Sequence, residues 1–317
     1  MKSLKELDQK YSDIISDIKF QPIFIMGLHR SGTTILYKML NETGHFNIVT
    51  AYHILKYEEL LHNFKNNLEE KTKLALSIQF KELGIKNRKI DSIEITPDFT
   101  QEYVYLFVKK NLPNKMGEKN KELFENLCKK IQVISNNKKP VLLKNPYDYA
   151  NFLYIFKEFP NAKFIFINRN PKEIISSNLR AWQTLLESKN PYTSLFSPKY
   201  KEIFDNPLLL FLMRTYYSSY LPFGLINIIR KASRETKYFL KNINKIKEKD
   251  YVIVKYENLC SNSNLEMKKI LDFLKIKSNL DFSNYIKPRK LKMLSEIERM
   301  EKYILKKMKS YMAMYDC

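Results

Sequence analysis

The segment Gly27-Leu28-His29-Arg30-Ser31-Gly32-Thr33-Thr34 gathers the residue types that hold an anion. A glycine lets the chain turn sharply away from whatever precedes it. The N–H groups of a loop and of the helical turn after it converge on one point, where the helix dipole adds partial positive charge. Arg30 supplies a full charge and a fork of donors, and Ser31, Thr33 and Thr34 supply hydroxyls. Together these suit a terminal phosphate-like group. A second set lies downstream, Asn168-Arg169-Asn170-Pro171, with Ser177 two helical turns beyond Arg169. The backbone separation is on the order of 12 Å. A long Arg side chain folding back over the helix bridges that distance and shares a phosphate with the serine. Taken alone, this second set is equally well explained as a helix cap.

These residues need elements to carry them. Pro22–Met26 (PIFIM) is a short apolar run closed by Gly27, the mark of a fully buried strand. Thr33–Leu40 follows with helical spacing of Ile35, Leu36, Met39 and Leu40. Pro140–Leu143, Lys163–Asn168 (KFIFIN) and Tyr251–Lys255 (YVIVK) read as further strands, and Ile90–Asp98 as another that ends in a proline turn. Helical patterns occupy most of Ala51–Lys86, then Thr100–Lys110, Lys119–Ile131, Tyr149–Phe159, Pro171–Leu186 and Leu265–Leu274. Strands separated by helices predict an α/β fold of three layers, a central parallel sheet flanked by helices. Ligands of such sheets bind beyond the carboxyl ends of the strands, where both anion-binding sets fall.

The 317 residues are 44% hydrophobic and 28% charged, enough for a real core and too apolar for a disordered chain. No repeat and no Gly/Ser/Pro-rich linker divides the chain, so residues 1–317 are expected to form a single domain. The net charge of +21 suits an anionic ligand, nucleic acid or an acidic membrane surface. The lysines are spread along the chain, however, which equally fits a solvated surface. Cys128, Cys260 and Cys317 have neither metal-ligand nor redox spacing, and reduced thiols of a cytoplasmic protein are the simple reading. Met1–Lys19 is too charged for a secretory signal. No run of 18 apolar residues suits a membrane span. The nearest approach, Pro207–Ile229, is interrupted by Arg214 and reads as a buried or interfacial helical region, core or lid in preference to membrane contact.

Gly27, Gly32 and Thr34 have the spacing of the phosphate loop G-x-x-x-x-G-K-[ST], but Thr33 stands where that loop has lysine, and the cation is Arg30 instead. Arg-Ser-Gly-Thr-Thr after a buried strand resembles the 5′-phosphosulfate loop of sulfotransferases that use 3′-phosphoadenosine-5′-phosphosulfate (PAPS). The Arg169-Asn170-Pro171 segment with Ser177 resembles the 3′-phosphate site of the same family. Leu143-Lys144-Asn145-Pro146 and Phe159-Pro160-Asn161-Ala162-Lys163 resemble its intervening stretch, and Tyr256-Glu257-Asn258-Leu259 resembles its Tyr-Glu-Asp-Leu motif. The resemblance covers residues 22–44, 140–186 and 251–276, and leaves 51–139 and 187–250 as substrate and lid helices. It implies a P-loop-like sulfotransferase fold and PAPS as co-substrate, with no metal. Arg30, Ser31, Gly32, Thr33 and Thr34 would then hold the phosphosulfate, with Lys144 as a further cation. Arg169 and Ser177 would hold the 3′-phosphate, and Tyr256 would lie against the adenine.

An alcohol acceptor also requires a general base. One branch of the family places a histidine soon after the Lys144 position, where this chain has Asn145-Pro146-Tyr147. Another places an acid some twenty residues past the loop, near Thr50-Ala51-Tyr52-His53. His53 is therefore the first candidate base, with Glu58 and Glu102 behind it. The expected acceptor is a small molecule, glycan or lipid, with no nucleic-acid partner, at most peripheral membrane contact, and an open oligomeric state. Two rivals are a variant P-loop kinase or NTPase and a basic nucleic-acid-binding protein. The first expects an Asp ending a strand to hold magnesium, whereas these strands end in Lys144, Asn168-Arg169 and Lys255-Tyr256. The second expects clustered basic stripes.

Overall fold

A computed structural model describes residues 7–85, 87, 94–135, 138–286 and 293–315. Cys317, the start of Met1–Lys19 and residues 90–93 of the expected Ile90–Asp98 strand lie outside the described residues. Within the remainder of that segment Glu94 makes only an isolated bridge to Asn87.

Five strands form one parallel sheet: β1 (Pro22–Met26), β2 (Asn47–Ile48), β3 (Val141–Lys144), β4 (Lys163–Asn168) and β5 (Tyr251–Lys255). Their order is β2-β3-β1-β4-β5, and every pairing is parallel. Strand side chains alternate between two cores. Phe24, Met26, Val141, Leu143, Phe164 and Phe166 point into one, and Ile23, Ile25, Leu142, Ile165, Ile167, Val252 and Val254 into the other. Both faces are thus covered, which is why the strands read as unbroken apolar runs. Phe24 stacks between Phe124 at 6.0 Å and Phe164 at 5.7 Å. Truncating a core phenylalanine of this kind costs about 3–5 kcal/mol.

The helices that matter for the site are α1 (Thr33–Glu42), α2 (Pro171–Glu187), α3 (Pro207–Tyr216), α4 (Phe223–Asn242), α5 (Ser263–Phe273) and α6 (Glu301–Tyr315). The chain adopts the expected three-layer α/β architecture. The strand β2 has only two residues, too few to show a period, and Asn47 secures it by donating to Gln132 Oε1 at 2.6 Å.

The stretch Pro207–Ile229 is not one buried region. It divides into α3, which buries none of its residues, and the first turns of α4, where Gly224, Leu225, Ile228 and Ile229 are buried. Arg214, the residue that interrupts the apolar run, fastens α3 to the end of α2 through the carbonyls of Leu186 and Glu187, at 2.8 and 2.9 Å.

Candidate active site

The carboxyl ends of β3, β1, β4 and β5 lie side by side, and each delivers one part of the site. The loop leaves β1 at Gly27, where a Cβ would fall 2.9 Å from the Ile167 carbonyl of β4. Only glycine permits that approach. Arg30 has φ 73°, a left-handed conformation costing a non-glycine residue about 1–2 kcal/mol. Gly32 has φ 103° and caps α1 without any side-chain hydrogen bond to the first-turn amides. The Ser31 hydroxyl is buried and has no hydrogen-bond partner among the described residues. Uncapped helix amides, a strained arginine and an orphaned buried hydroxyl facing one loop are the physical signature of an anion cradle.

Beside the loop, Lys144 at the end of β3 is 1% exposed. Its ammonium donates to Thr34 Oγ1 at 2.8 Å and pairs with Glu102 Oε1 at 3.0 Å. Burial of an ammonium requires such partners. Neighbouring contacts fix the pair in place. The Tyr103 hydroxyl, next to Glu102, donates to Asp148 Oδ2 at 2.6 Å, and Asp148 lies in the short helix that follows Lys144. Asp148 also accepts from Asn145 at 2.7 Å, from the Met116 N–H at 2.9 Å and from Asn151 at 2.8 Å.

At the other side, the guanidinium of Arg30 donates through Nε to Ser177 Oγ at 3.1 Å. Arg169 does not fold back onto Ser177. It donates to Glu173 Oε2 at 3.0 and 2.7 Å and to the Arg30 carbonyl at 3.0 Å. Its guanidinium also sits 4.2 Å from the centre of the Tyr256 ring, a cation–π contact. The Tyr256 ring in turn occupies the space that a side chain at Gly32 would need. The two anion-binding segments found in the sequence therefore touch, through Arg30, Arg169, Ser177 and Tyr256.

The three candidate bases separate. His53 lies in the short helix Ala51–Leu55, and its Nδ1 accepts from the Thr50 N–H at 3.2 Å in a capping box. Its ring also bonds the Ile48 backbone, and its charged neighbours are Lys73 and Asp98. Burial is the main cause that pushes its pKa down to about 4. Glu58 is committed to Lys110. Glu102 alone of the three meets Lys144 and, through it, Thr34.

Sequence reasoning passed over His29, although it lies inside the loop. Its ring meets Tyr147 edge-on at 4.6 Å, and its buried Nε2 has no hydrogen-bond partner among the described residues. Burial first, then Lys231, lowers its pKa to about 3, with Glu102 opposing and Arg30 and Lys144 adding to the effect. The imidazole is therefore neutral. The signal was available: a polar ring between a buried strand and Arg30 has nowhere to go but the site.

A glycine-bounded anion loop joining the central strand of a parallel sheet to its first helix defines a P-loop-like α/β protein. Within that class the chain belongs to the sulfotransferase family, whose family model matches residues 22–204 and so includes the loop, Glu102, Lys144, Arg169 and Ser177. Tyr256 lies beyond the matched residues. Curated relatives from Mycobacterium bovis and Mycobacterium tuberculosis, each named omega-hydroxy-beta-dihydromenaquinone-9 sulfotransferase Stf3, are 25% identical over 187 residues, covering 52% of this chain and 46% of each relative. The chain spans about half the length of these curated relatives. The solved sulfotransferase STF1 from Mycobacterium tuberculosis shares the fold at 13% identity and TM-score 0.60, over 96% of this chain and 80% of that one. STF9 from Mycobacterium avium shares it at 12% identity and TM-score 0.61, over 99% and 81%.

Proposed function

We propose that this chain is a PAPS-dependent sulfotransferase that acts on a hydroxyl of an apolar or amphiphilic acceptor. The contact of Arg30 with Ser177 carries the reading, because it joins a loop suited to a 5′-phosphosulfate to a helix suited to a 3′-phosphate. The orphaned Ser31 hydroxyl and the uncapped start of α1 fit the sulfated end of such a donor. Arg30, Thr33, Thr34 and Lys144 would hold that end, and Arg169, Ser177 and Arg30 the 3′-phosphate. Tyr256 would form the wall beneath the nucleotide.

PAPS supplies an activated sulfuryl group. The chain's own work is then positioning and electrostatics, as in phosphoryl transfer. Lys144 and Arg30 offset charge that develops on the bridging and non-bridging oxygens. Glu102, held against Lys144, would take the acceptor's proton, and neutral His29 would accept a hydrogen bond without adding a further cation. This assignment transfers the base from His53 to Glu102 because Glu102 is the candidate in contact with Lys144.

A lipid-like acceptor is the favoured class. The curated relatives are named for a menaquinone-derived one, and the apolar helices of residues 187–250 offer it a surface. The chain is read as one domain and as cytoplasmic. Among the described residues no helix is long and apolar enough to cross a membrane.

Thermal shift with adenosine 3′,5′-bisphosphate against ATP–Mg²⁺ tests the donor. Preferential stabilisation by the bisphosphate is expected. Equal or greater stabilisation by ATP would overturn the reading in favour of a phosphotransferase.

A further inference from the structure

The helix α3 packs against the core through Leu210, Met213 and Tyr216 but buries no residue fully. Leu208, Phe211 and Leu212, spaced as one side of a helix, are 67%, 64% and 54% exposed. The turn that follows adds Tyr220 at 93% and Leu221 at 38%, and Phe223, at 56%, opens α4. Exposed large apolar residues are ordinary when scattered, but a contiguous group marks a surface that meets something apolar.

What it meets is indicated by the helix it leads into. The outward stripe of α4 is Phe223, Asn227, Arg230, Arg234, Lys237 and Lys241, successive positions of one helical face, all exposed. Beyond Asn227 the stripe is wholly cationic. Arg230, Arg234 and Lys237, with Ser233 and with Lys307 of α6, line one shallow depression. The carboxylate of α4, Glu235, lies on the buried side and approaches Lys231 at 4.0 Å. Arg230, Arg234 and Lys237 have no ion-pair partner among the described residues. Phe223 and Arg230 are about 10 Å apart along the axis, and Phe223 and Lys241 about 27 Å. Exposed rings and aliphatic chains next in sequence to a basic stripe suit a bilayer surface, where apolar side chains enter the acyl boundary and cations meet lipid phosphates.

We propose that α3, the Tyr220–Phe223 turn and the outward stripe of α4 form a docking surface for an anionic phospholipid bilayer. This surface is separate from the nucleotide site, and the proposal stands whether or not PAPS is the donor. The same helix α4 carries Lys231, which sits 4.7 Å over the Tyr147 ring that meets His29. A docked bilayer would therefore lie next to the acceptor side of the site.

Cosedimentation of the full chain with vesicles tests this. Vesicles of phosphatidylcholine and phosphatidylglycerol in equal parts should bind the chain, with phosphatidylcholine alone binding far less and raised salt weakening the anionic case. Arg230→Glu with Arg234→Glu should lower affinity for the mixed vesicles by at least roughly fivefold per position. Phe211→Asp with Leu212→Asp should lower it by a similar factor, and both double variants should keep the unliganded unfolding midpoint of the parent. Absence of binding by the parent, or equal binding by both variants, would overturn the proposal. A dimer seen by light scattering and lost in the Phe211→Asp, Leu212→Asp variant would overturn it too, by assigning the patch to a second copy of the chain.

Discussion

Arg30 Nε donates to Ser177 Oγ across 3.1 Å, joining residues 147 positions apart in the chain. A loop from the central strand and a helix from its neighbour are thereby locked into one cationic pocket. Ser177→Ala removes this acceptor and with it the direct link between the loop and the helix. A hydrogen bond to a charged group contributes about 1.5–3 kcal/mol, so affinity for adenosine 3′,5′-bisphosphate should fall about tenfold or more by calorimetry, with little change in the unliganded unfolding midpoint. Arg30→Ala should cost more, because it removes the charge as well as the contact.

Glu102 and Lys144 make the next prediction. Glu102→Gln keeps an oxygen for Lys144 to donate to but removes the base. Turnover should fall by about 10²–10⁴-fold while bisphosphate binding is retained. Turnover near that of the parent enzyme would remove Glu102 from the chemistry. Loss of bisphosphate binding would recast it as a partner that merely holds Lys144 in place.

His53 now carries a structural expectation. Glutamine at the same position also completes a capping box, so His53→Gln should preserve the helix, and it should preserve turnover. His53→Ala keeps the Thr50 side-chain cap but leaves the buried Thr50 N–H without its acceptor, so it should lose about 1–3 kcal/mol in denaturant unfolding. A turnover defect in the glutamine variant, at intact stability, would restore His53 as a chemical group.

His53 and His29 set a pH dependence of stability. Burial holds His53 at about 4 and His29 at about 3, both below the ordinary 6.5. Between those values and 6.5 the unfolded chain binds more protons than the folded one. Unfolding free energy should therefore rise with pH through this window and level off above it, each histidine adding at most about 1.4 kcal/mol per pH unit. Denaturant titrations from pH 7 downward should show the loss, and His53→Gln should roughly halve the histidine contribution between about 6.5 and 4, leaving that of His29.

Gly32→Ala should be destabilising for two separable reasons. The left-handed φ of 103° remains unfavourable for alanine, and the new methyl meets the Tyr256 ring. Adding Tyr256→Ala should relieve the second cost and not the first, so the double variant should be less than additive in chemical denaturation.

The strands were legible in the sequence because burial on both faces made them continuous apolar runs, and Lys163–Asn168 and Tyr251–Lys255 emerge with the expected bounds. Loop residues Gly27–Thr34 were legible because helix-start amides and glycines leave a compositional mark. Glu102 was not distinguished from Glu58 and His53, since nothing local marks a carboxylate that meets a lysine 42 positions later. That meeting depends on the Tyr103–Asp148 bond and on the isolated bridge of Thr50 with Thr100, both long-range. For helix α3 the sequence left burial and an interfacial place both open, for a related reason. An apolar run signals affinity for something apolar, and only the packed fold says whether the chain itself provides it.

Tyr311, on α6, is buried, and its hydroxyl accepts from the Arg169 N–H at 3.2 Å. The backbone of the second anion-binding segment is thus propped by a residue made 142 positions later. During synthesis the strand and loop around Gly27 emerge early, and domains fold from the amino end as they appear. The Arg169 backbone lacks that support until Tyr311 has left the ribosome, so the second anion-binding segment settles long after the loop around Gly27 has been exposed.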